Sequence, residues 1–302
     1  MPSKDLYRRL SMGAGTMIIA QISDTHIALD VPDADRRMSD LALTVADINA
    51  LDPLPDAIVH TGDVAHNGRQ DEYEAAKAIL ANARAPVYLL AGNKDNRTNL
   101  HAAFLAGEHP APGCNFIQYA IDRYPVRLIA LDTQGSGNKG EFCRERLEHL
   151  TDLLAADAAK PTAVFTHHPP FLVTEGPEAF HFENWDAMSS LRRALSRLGQ
   201  VVGVFSGHVH RAVSGDVEGI PAMVLPAIAT TLRHGVYPVH LKNRPVYQIH
   251  RFDPVCGFVS ETRIAVGHPH PVTHHQRDPE GEWTGLRSLG CIKAKLAALN
   301  SK

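Results

Sequence analysis

Five short stretches of this chain carry side chains that bind cations, and each follows a run of apolar residues. Asp24 and His26 follow the run 17–22, and Gly62 and Asp63 follow 57–60. Gly92, Asn93, Lys94 and Asp95 follow 87–90, His167 and His168 follow 163–166, and Gly207, His208 and His210 follow 201–206. Carboxylate and amide oxygens with imidazole nitrogens make a mixed donor set suited to first-row metals. Taken singly, each stretch is ordinary, because Asp near a strand end makes Asx turns or caps a helix and Gly supplies unusual backbone angles. Taken together, independent turns have no reason to supply donors enough for two coordination shells. The chain holds 18 histidines, so position and not number singles these out.

For these residues to act jointly, the intervening elements must bring them to one place. Met38, Leu41, Val45 and Ile48 recur at spacings of three and four, as do Tyr73, Ala76 and Ile79, which predicts helices between short apolar strands. This βαβαβ order implies parallel pairing with right-handed crossovers. Leu147, Leu150 and Leu154 predict a further helix, and Met188, Leu191, Leu195 and Leu198 another, stopped by Gly199. The carboxyl ends of parallel strands share one edge, so the five stretches should converge on one crevice. After Gly207, shorter extended pieces at 223–225, 246–249 and 258–264 predict a second, more antiparallel sheet.

The chain's 302 residues, 44% of them apolar, suffice for a large core. Residues 17–265 read as one domain, 1–16 as a disordered leader or sequence upstream of a start at Met12 or Met17, and 266–302 as a C-terminal wrap with a short helix. Lys and Arg number 30 against 33 Asp and Glu, which argues against a nucleic-acid polymer as partner. Cys114, Cys143, Cys256 and Cys291 are too scattered for a disulfide framework or zinc ribbon, and a reducing cytoplasm is expected. No apolar run approaches the roughly 18 to 20 residues of a membrane span.

From Met17 to about Ile264 the chain resembles the calcineurin-like metallophosphoesterases, whose ordered blocks D-x-H, GD, GN, H and GHxH stand here as Asp24/His26, Gly62/Asp63, Gly92/Asn93, His167 and Gly207/His208/His210. Gly68, Glu72, Tyr73, Arg97, Pro169 and Pro170 make it most similar to the class III cyclic-nucleotide phosphodiesterases. The resemblance implies an α/β fold, a four-layer α-β-β-α sandwich of two mixed sheets, often as a homodimer. It also implies two metal ions, Mn, Fe, Zn or Co: one held by Asp24, His26, Asp63 and His210, the other by Asp63, Asn93, His167 and His208. Asp63 would bridge them. Such a pair can lower the pKa of a bridging water to give hydroxide for in-line attack on a phosphoester. The expected substrate is a small phosphodiester, a cyclic nucleotide first, with a phosphomonoester or glycerophosphodiester as alternative. A noncatalytic metal-binding scaffold is the alternative of another class.

Lys94 stands where many members of the family have histidine. Lysine keeps a donor and a positive charge, so Lys94 joins Asp63 as a candidate catalytic residue, with the family histidine's role at the phosphoryl group or leaving oxygen. Asp95 and Arg97 are expected to hold the loop after Asn93. His60, His66 and His168 are candidates for supporting the ligands. Phe171, Phe180, His181, Phe182 and Trp185 read as loop packing more than as a wall for an organic group. His268, His270, His274 and His275 read as a solvated tail, and the sequence leaves His234 and His240 unassigned.

Overall fold

The first three apolar runs form a parallel sheet because helices return the chain to the same edge after each strand. In the computed structural model, which describes residues 15–105 and 115–266, strands β1 (Met17–Ile22), β2 (Ala57–His60) and β3 (Val87–Leu89) pair in parallel. Helices α1 (Ala34–Asn49) and α2 (Gln70–Leu80) make the two crossovers. Met38, Leu41, Val45 and Ile48 form the buried stripe of α1, and Tyr73, Ala76 and Ile79 that of α2. Burying each larger apolar side chain contributes about 1.5–3 kcal/mol, which fixes these helices on the sheet. Arg97–Leu100 (α3) continues into a π-helical turn, His101–Leu105.

The later elements are β4 (Tyr119–Ile121), β5 (Arg127–Leu131), α4 (Arg144–Ala155), β6 (Thr162–Thr166), α5 (Trp185–Ser196) and β7 (Val201–Ser206). They are followed by β8 (Val213–Val217), β9 (Ile220–Val224), α6 (Val239–Lys242), β10 (Val246–Asp253) and β11 (Gly257–Ile264). One sheet runs β11-β10-β1-β2-β3 and the other β4-β5-β6-β7-β9-β8. Both are mixed: β10 is antiparallel to β1, while β5, β6, β7 and β9 are parallel.

The expected separate antiparallel sheet after Gly207 does not form. Its strands are shared out instead, β8 and β9 extending the second sheet and β10 and β11 closing the edge of the first. Likewise α5 ends at Ser196, leaving Leu198 outside it and 44% exposed. Gly199, at φ 70°, turns the chain after it.

The sheets face each other: the ring of Phe205 on β7 lies 3.9 Å from that of His250 on β10 and 5.2 Å from that of Phe258 on β11. Gln21 on β1 donates to the Ser206 carbonyl at 3.0 Å. On the second sheet, Ile129, Val164 and Val204 share a core with Leu150, Leu154, Met188, Leu191 and Leu195 of α4 and α5. The result is a four-layer α-β-β-α sandwich in which β1–β3 and β6–β7 end side by side. Residues 1–14 and 267–302, with His268, His270, His274 and His275, lie outside the described residues, as do Cys114 and Cys291.

Candidate metal centre

The five stretches meet where the two sheets adjoin, three of them on β1–β3 and two on β6 and β7. Sequence alone suggests a single strand edge; the crevice is shared by two. Backbone hydrogen bonds lock the loops together, Asp24 N–H to the Gly62 carbonyl (3.0 Å), His26 N–H to that of Asp63 (2.9 Å) and Gly207 N–H to that of His167 (3.1 Å). Asp24, His26, Asp63, His208 and His210 all adopt positive φ, from 44° to 73°. Among the described residues the only other non-glycine with positive φ is Glu218, in the β8–β9 turn. A left-handed backbone costs about 1–3 kcal/mol per such residue and persists where surrounding structure enforces it, commonly at functional sites.

Two groups of side chains result. In the first, His26 Nε2 lies 3.4 Å from Asp63 Oδ2 and 3.1 Å from His210 Nε2, and His210 Nε2 lies 3.4 Å from Asp24 Oδ1. In the second, Asn93 Oδ1 is 3.0 Å from both His167 Nε2 and His208 Nδ1. Asp63 faces both groups, its Oδ1 lying 3.5 Å from His167 Nε2.

The far side of two rings determines what the near side presents. His210 Nδ1 is 2.9 Å from the Leu232 carbonyl and His167 Nδ1 is 2.8 Å from the Thr61 carbonyl. Carbonyls only accept, so each Nδ1 carries a proton and donates it, and each Nε2 is left facing a carboxylate. Buried carboxylate oxygens and imidazole nitrogens 3.4–3.5 Å apart, with two imidazole Nε2 atoms 3.1 Å apart, make a mixed donor set that a cation would draw together. The donor set therefore fits a dinuclear metal site. Charge tells the same story. Burial, with help from Asp24 and Asp95, pushes Asp63 up to about 7. Burial also raises Asp24, but the imidazoles of His210, His167 and His26 together more than offset this and leave it below the usual carboxylate range, and Asp24 in turn raises His210 against its burial. Burial, with neighbouring imidazoles, lowers His26 and His208 and so favours their neutral rings, each with one nitrogen free of a proton.

His168 sits against His208, with ring centroids 4.4 Å apart, but both its nitrogens are engaged. His168 Nε2 donates to the Asn138 carbonyl (3.2 Å), so in the neutral ring that burial favours Nδ1 accepts from the Thr133 hydroxyl (2.9 Å), whose oxygen also accepts the His168 backbone N–H (3.2 Å). It holds the Asn138 loop and offers no lone pair to a metal. His60 plays a similar part: Thr25 Oγ1 donates to the Val64 carbonyl (3.0 Å) and accepts from His60 Nε2 (2.9 Å). His66 lies edge-on to His26 at 5.7 Å, and His234 lies 5.4 Å from His210. His240 is exposed on α6.

The loop after Asn93 is anchored as expected. Asp95 accepts the backbone N–H groups of Val64, Ala65 and Gly92 and the Tyr73 hydroxyl, at 2.9–3.2 Å. Arg97 makes a two-pronged bond to Asp132 at 2.7 and 2.8 Å. The Lys94 backbone N–H donates to Asp63 Oδ1 (2.8 Å), and its side chain lines a cavity of about 300 Å³ that opens over the cluster. Of the aromatic stretch, Phe171 and Phe182 are buried in the core and Phe180 stacks on Trp185 at 5.7 Å, but His181 lines the cavity. Asn138 and Arg211 also line it, and neither is singled out by sequence reasoning. Asn138 lies in the loop after β5, a strand too weakly marked to stand out; Arg211 directly follows the GHxH block, a signal that does point to it.

The calcineurin-like phosphoesterase profile matches residues 17–212. The glycerophosphodiester phosphodiesterase GpdQ of Enterobacter lignolyticus is 31% identical over 91% of this chain and 97% of its own. A probable cyclic nucleotide phosphodiesterase of Rhodopseudomonas palustris is 32% identical over 63% of this chain and 69% of its own. A dimetal phosphatase from Danio rerio shares the fold, with a TM-score of 0.61 and 15% identity over 83% of this chain and 99% of its own. The chain belongs to the calcineurin-like phosphoesterase family, hydrolases of phosphoric esters. Among the described residues no helix is long and apolar enough to cross a membrane.

Proposed function

We propose that this chain is a dinuclear-metal phosphodiesterase of small diesters, with Asp24, His26, Asp63 and His210 holding one cation and Asp63, Asn93, His167 and His208 the other. The observation that carries this reading is the pair of imidazoles, His167 and His210, whose Nδ1 atoms are tied to carbonyls and whose Nε2 atoms face the carboxylates of Asp63 and Asp24. The nitrogen and oxygen donors suit Mn, Fe, Zn or Co. When bound, two such cations acidify water and neutralise charge on phosphoryl oxygens. The chain's own part is to hold the ligands without slack: Asp63 takes the Lys94 N–H, and carbonyls of Thr61 and Leu232 fix two rings. Lys94 supplies a cationic donor within the cavity. A cytoplasmic, homodimeric enzyme completes the reading.

On the leaving group, the cavity favours a polar alcohol. Apart from histidines, its walls include Lys94, Asn138, Glu175, Glu178 and Arg211 and no aromatic ring among the described residues. Such walls suit the hydroxyls of a glycerophosphodiester better than the face of a base. A cyclic nucleotide is the second reading, supported by relatives that bear that name.

The deciding experiment loads the protein with manganese and compares bis-p-nitrophenyl phosphate, p-nitrophenyl phosphate, glycerophosphodiesters and cyclic nucleotides. A phosphodiesterase favours the bis ester over the monoester; a preference for the monoester makes it a phosphomonoesterase, and no turnover of any ester leaves a metal-binding scaffold. In the same assay, Lys94→Ala is expected to lower kcat on the bis ester at least about tenfold, a usual share for a positioned donor. Unchanged turnover removes Lys94 from the mechanism.

A further inference from the structure

Arg211 follows directly on His210, and its side chain lines the cavity over the cluster. Its Nε is buried without a partner, and the side chain makes no hydrogen bond or ion pair to any described residue. Of the two glutamates in the cavity wall, Glu178 is taken by Lys139 at 2.8 Å, and Glu175 forms no ion pair with Arg211. The other neighbours supply no anion. Burial, His210 and the charge of Arg211 all disfavour a proton on the His234 ring, and burial keeps the Tyr237 phenol protonated.

The guanidinium has a definite place. Beside it Gly176, at φ 130°, leaves room for little more than its own backbone: a Cβ there would lie 3.5 Å from Arg211 Cζ and 3.7 Å from its Nε. Asp24, His26 and Asp63 are at most 3% exposed and form the floor of the crevice, whereas Glu175, Gly176 and Pro177 are exposed. Arg211 therefore stands at the mouth. Lys94 belongs to a different wall, its Nζ 3.5 Å from Asn138 Oδ1 and next to Asn93. A phosphoryl group on the floor meets the Lys94 side, and the part of an ester that projects past it toward the mouth meets Arg211. A partly desolvated cation with no counter-ion in the protein is matched by a ligand that brings one.

We infer that Arg211 is a specificity-determining residue that binds an anionic group, a carboxylate or a second phosphate, on the alcohol portion of the diester. The inference rests on the diesterase reading of the same cavity and narrows its substrate class to diesters with a further negative charge. Arginine suits this task because its planar fork of N–H donors matches the oxygens of either anion. No bond to Arg211 forms or breaks.

The test uses the manganese-loaded full chain as wild type, Arg211→Gln and Arg211→Lys, with two matched substrate pairs. Glycerophosphoserine differs from glycerophosphoethanolamine by a carboxylate. The p-nitrophenyl ester of thymidine monophosphate is compared with the same ester carrying a further phosphate on the sugar. The ratio of kcat/KM within a pair cancels losses common to both members, so a merely structural role does not move it. The wild type is expected to favour the more anionic member of at least one pair by about tenfold, as befits a charge-assisted bond. Arg211→Gln brings that ratio to about one at full manganese content, and Arg211→Lys keeps part of it. Preference in the first pair identifies the anion as a carboxylate and in the second as a phosphate; either supports the inference. Wild-type ratios within about twofold of one in both pairs, or a preference that Arg211→Gln leaves intact, would overturn it. Calorimetric binding of phosphoserine and phosphoethanolamine to the same proteins reads the carboxylate preference without turnover. If no diester is hydrolysed while that affinity ratio still falls in Arg211→Gln, the diesterase reading fails and the role of Arg211 stands.

Discussion

Asp63→Asn is expected to lower turnover on the order of a thousandfold or more and to reduce bound metal, because the proposed bridging role needs both oxygens of one anion. Asn is nearly isosteric and can still accept the Lys94 N–H through its carbonyl oxygen, so the loop should survive. Its amide, however, puts a donor where Asp63 puts an acceptor between His26 and His167, 3.4 and 3.5 Å away. It also removes the negative charge that the two groups of ligands share. A cation that binds only the folded chain raises the unfolding temperature, so a chelator should lower that temperature in the wild type and scarcely move it in the variant. Full metal content with kcat within tenfold of wild type would show that Asp63 does not join the two groups.

Much of this site is legible in the amino-acid sequence because its residues sit in the most regular part of the fold. The stripe Met38, Leu41, Val45, Ile48 on α1 and the runs of β1, β2, β6 and β7 are strong periodic or apolar signals, and each ligand stretch follows such a run. What periodicity cannot convey is how separate sheets meet. β4 and β5 are three and five residues long, with no helix between them to set a rhythm, so nothing local marks the Asn138 loop that follows them. The strands after Gly207 look alike in sequence, yet β8 and β9 join one sheet and β10 and β11 the other, a choice made by long-range pairing. Register and sheet membership depend on partners far along the chain, so local pattern cannot decide them.

Side-chain state is legible in a different degree. That His167 and His210 would be candidates follows from their blocks; that their Nδ1 atoms are occupied by the carbonyls of Thr61 and Leu232 does not, because main-chain acceptors carry no residue identity. The positive φ of Asp24, His26, Asp63, His208 and His210 is likewise silent in sequence, since turns that favour this conformation ordinarily advertise it with glycine or asparagine. The histidine pair 167 and 168 shows the same division. Two adjacent imidazoles look equivalent as letters, but Thr133 and Asn138 consume both nitrogens of His168 and leave only His167 facing Asp63.

Gly92→Ala is expected to abolish most activity, by about a hundredfold or more, although the substitution adds one methyl group and touches no candidate ligand chemically. The Cβ would fall inside van der Waals contact of Asp63, against both its Oδ1 and its backbone nitrogen, and 2.8 Å from His167 Cε1. None of these atoms can yield cheaply. Asp63 Oδ1 is fixed by the Lys94 N–H, the Asp63 carbonyl holds His26 N–H, and the His167 ring is tied to the Thr61 carbonyl. Gly92 cannot retreat freely either, since its own N–H is bound to the buried Asp95 carboxylate at 2.9 Å. The strain must therefore spread the Asp63–His167 pair, and displacements near 1 Å at reacting centres cost about a hundredfold. Overpacking of this kind also destabilises by about 1–3 kcal/mol, which a melting curve can separate from the activity loss. Gly137→Ala is the control, because a Cβ at Gly137 lies 3.8 Å from Glu183 Oε1 with nothing closer, and its activity should stay within about twofold of wild type. A fully active Gly92→Ala protein would mean that the two groups of ligands do not depend on the close approach of these loops.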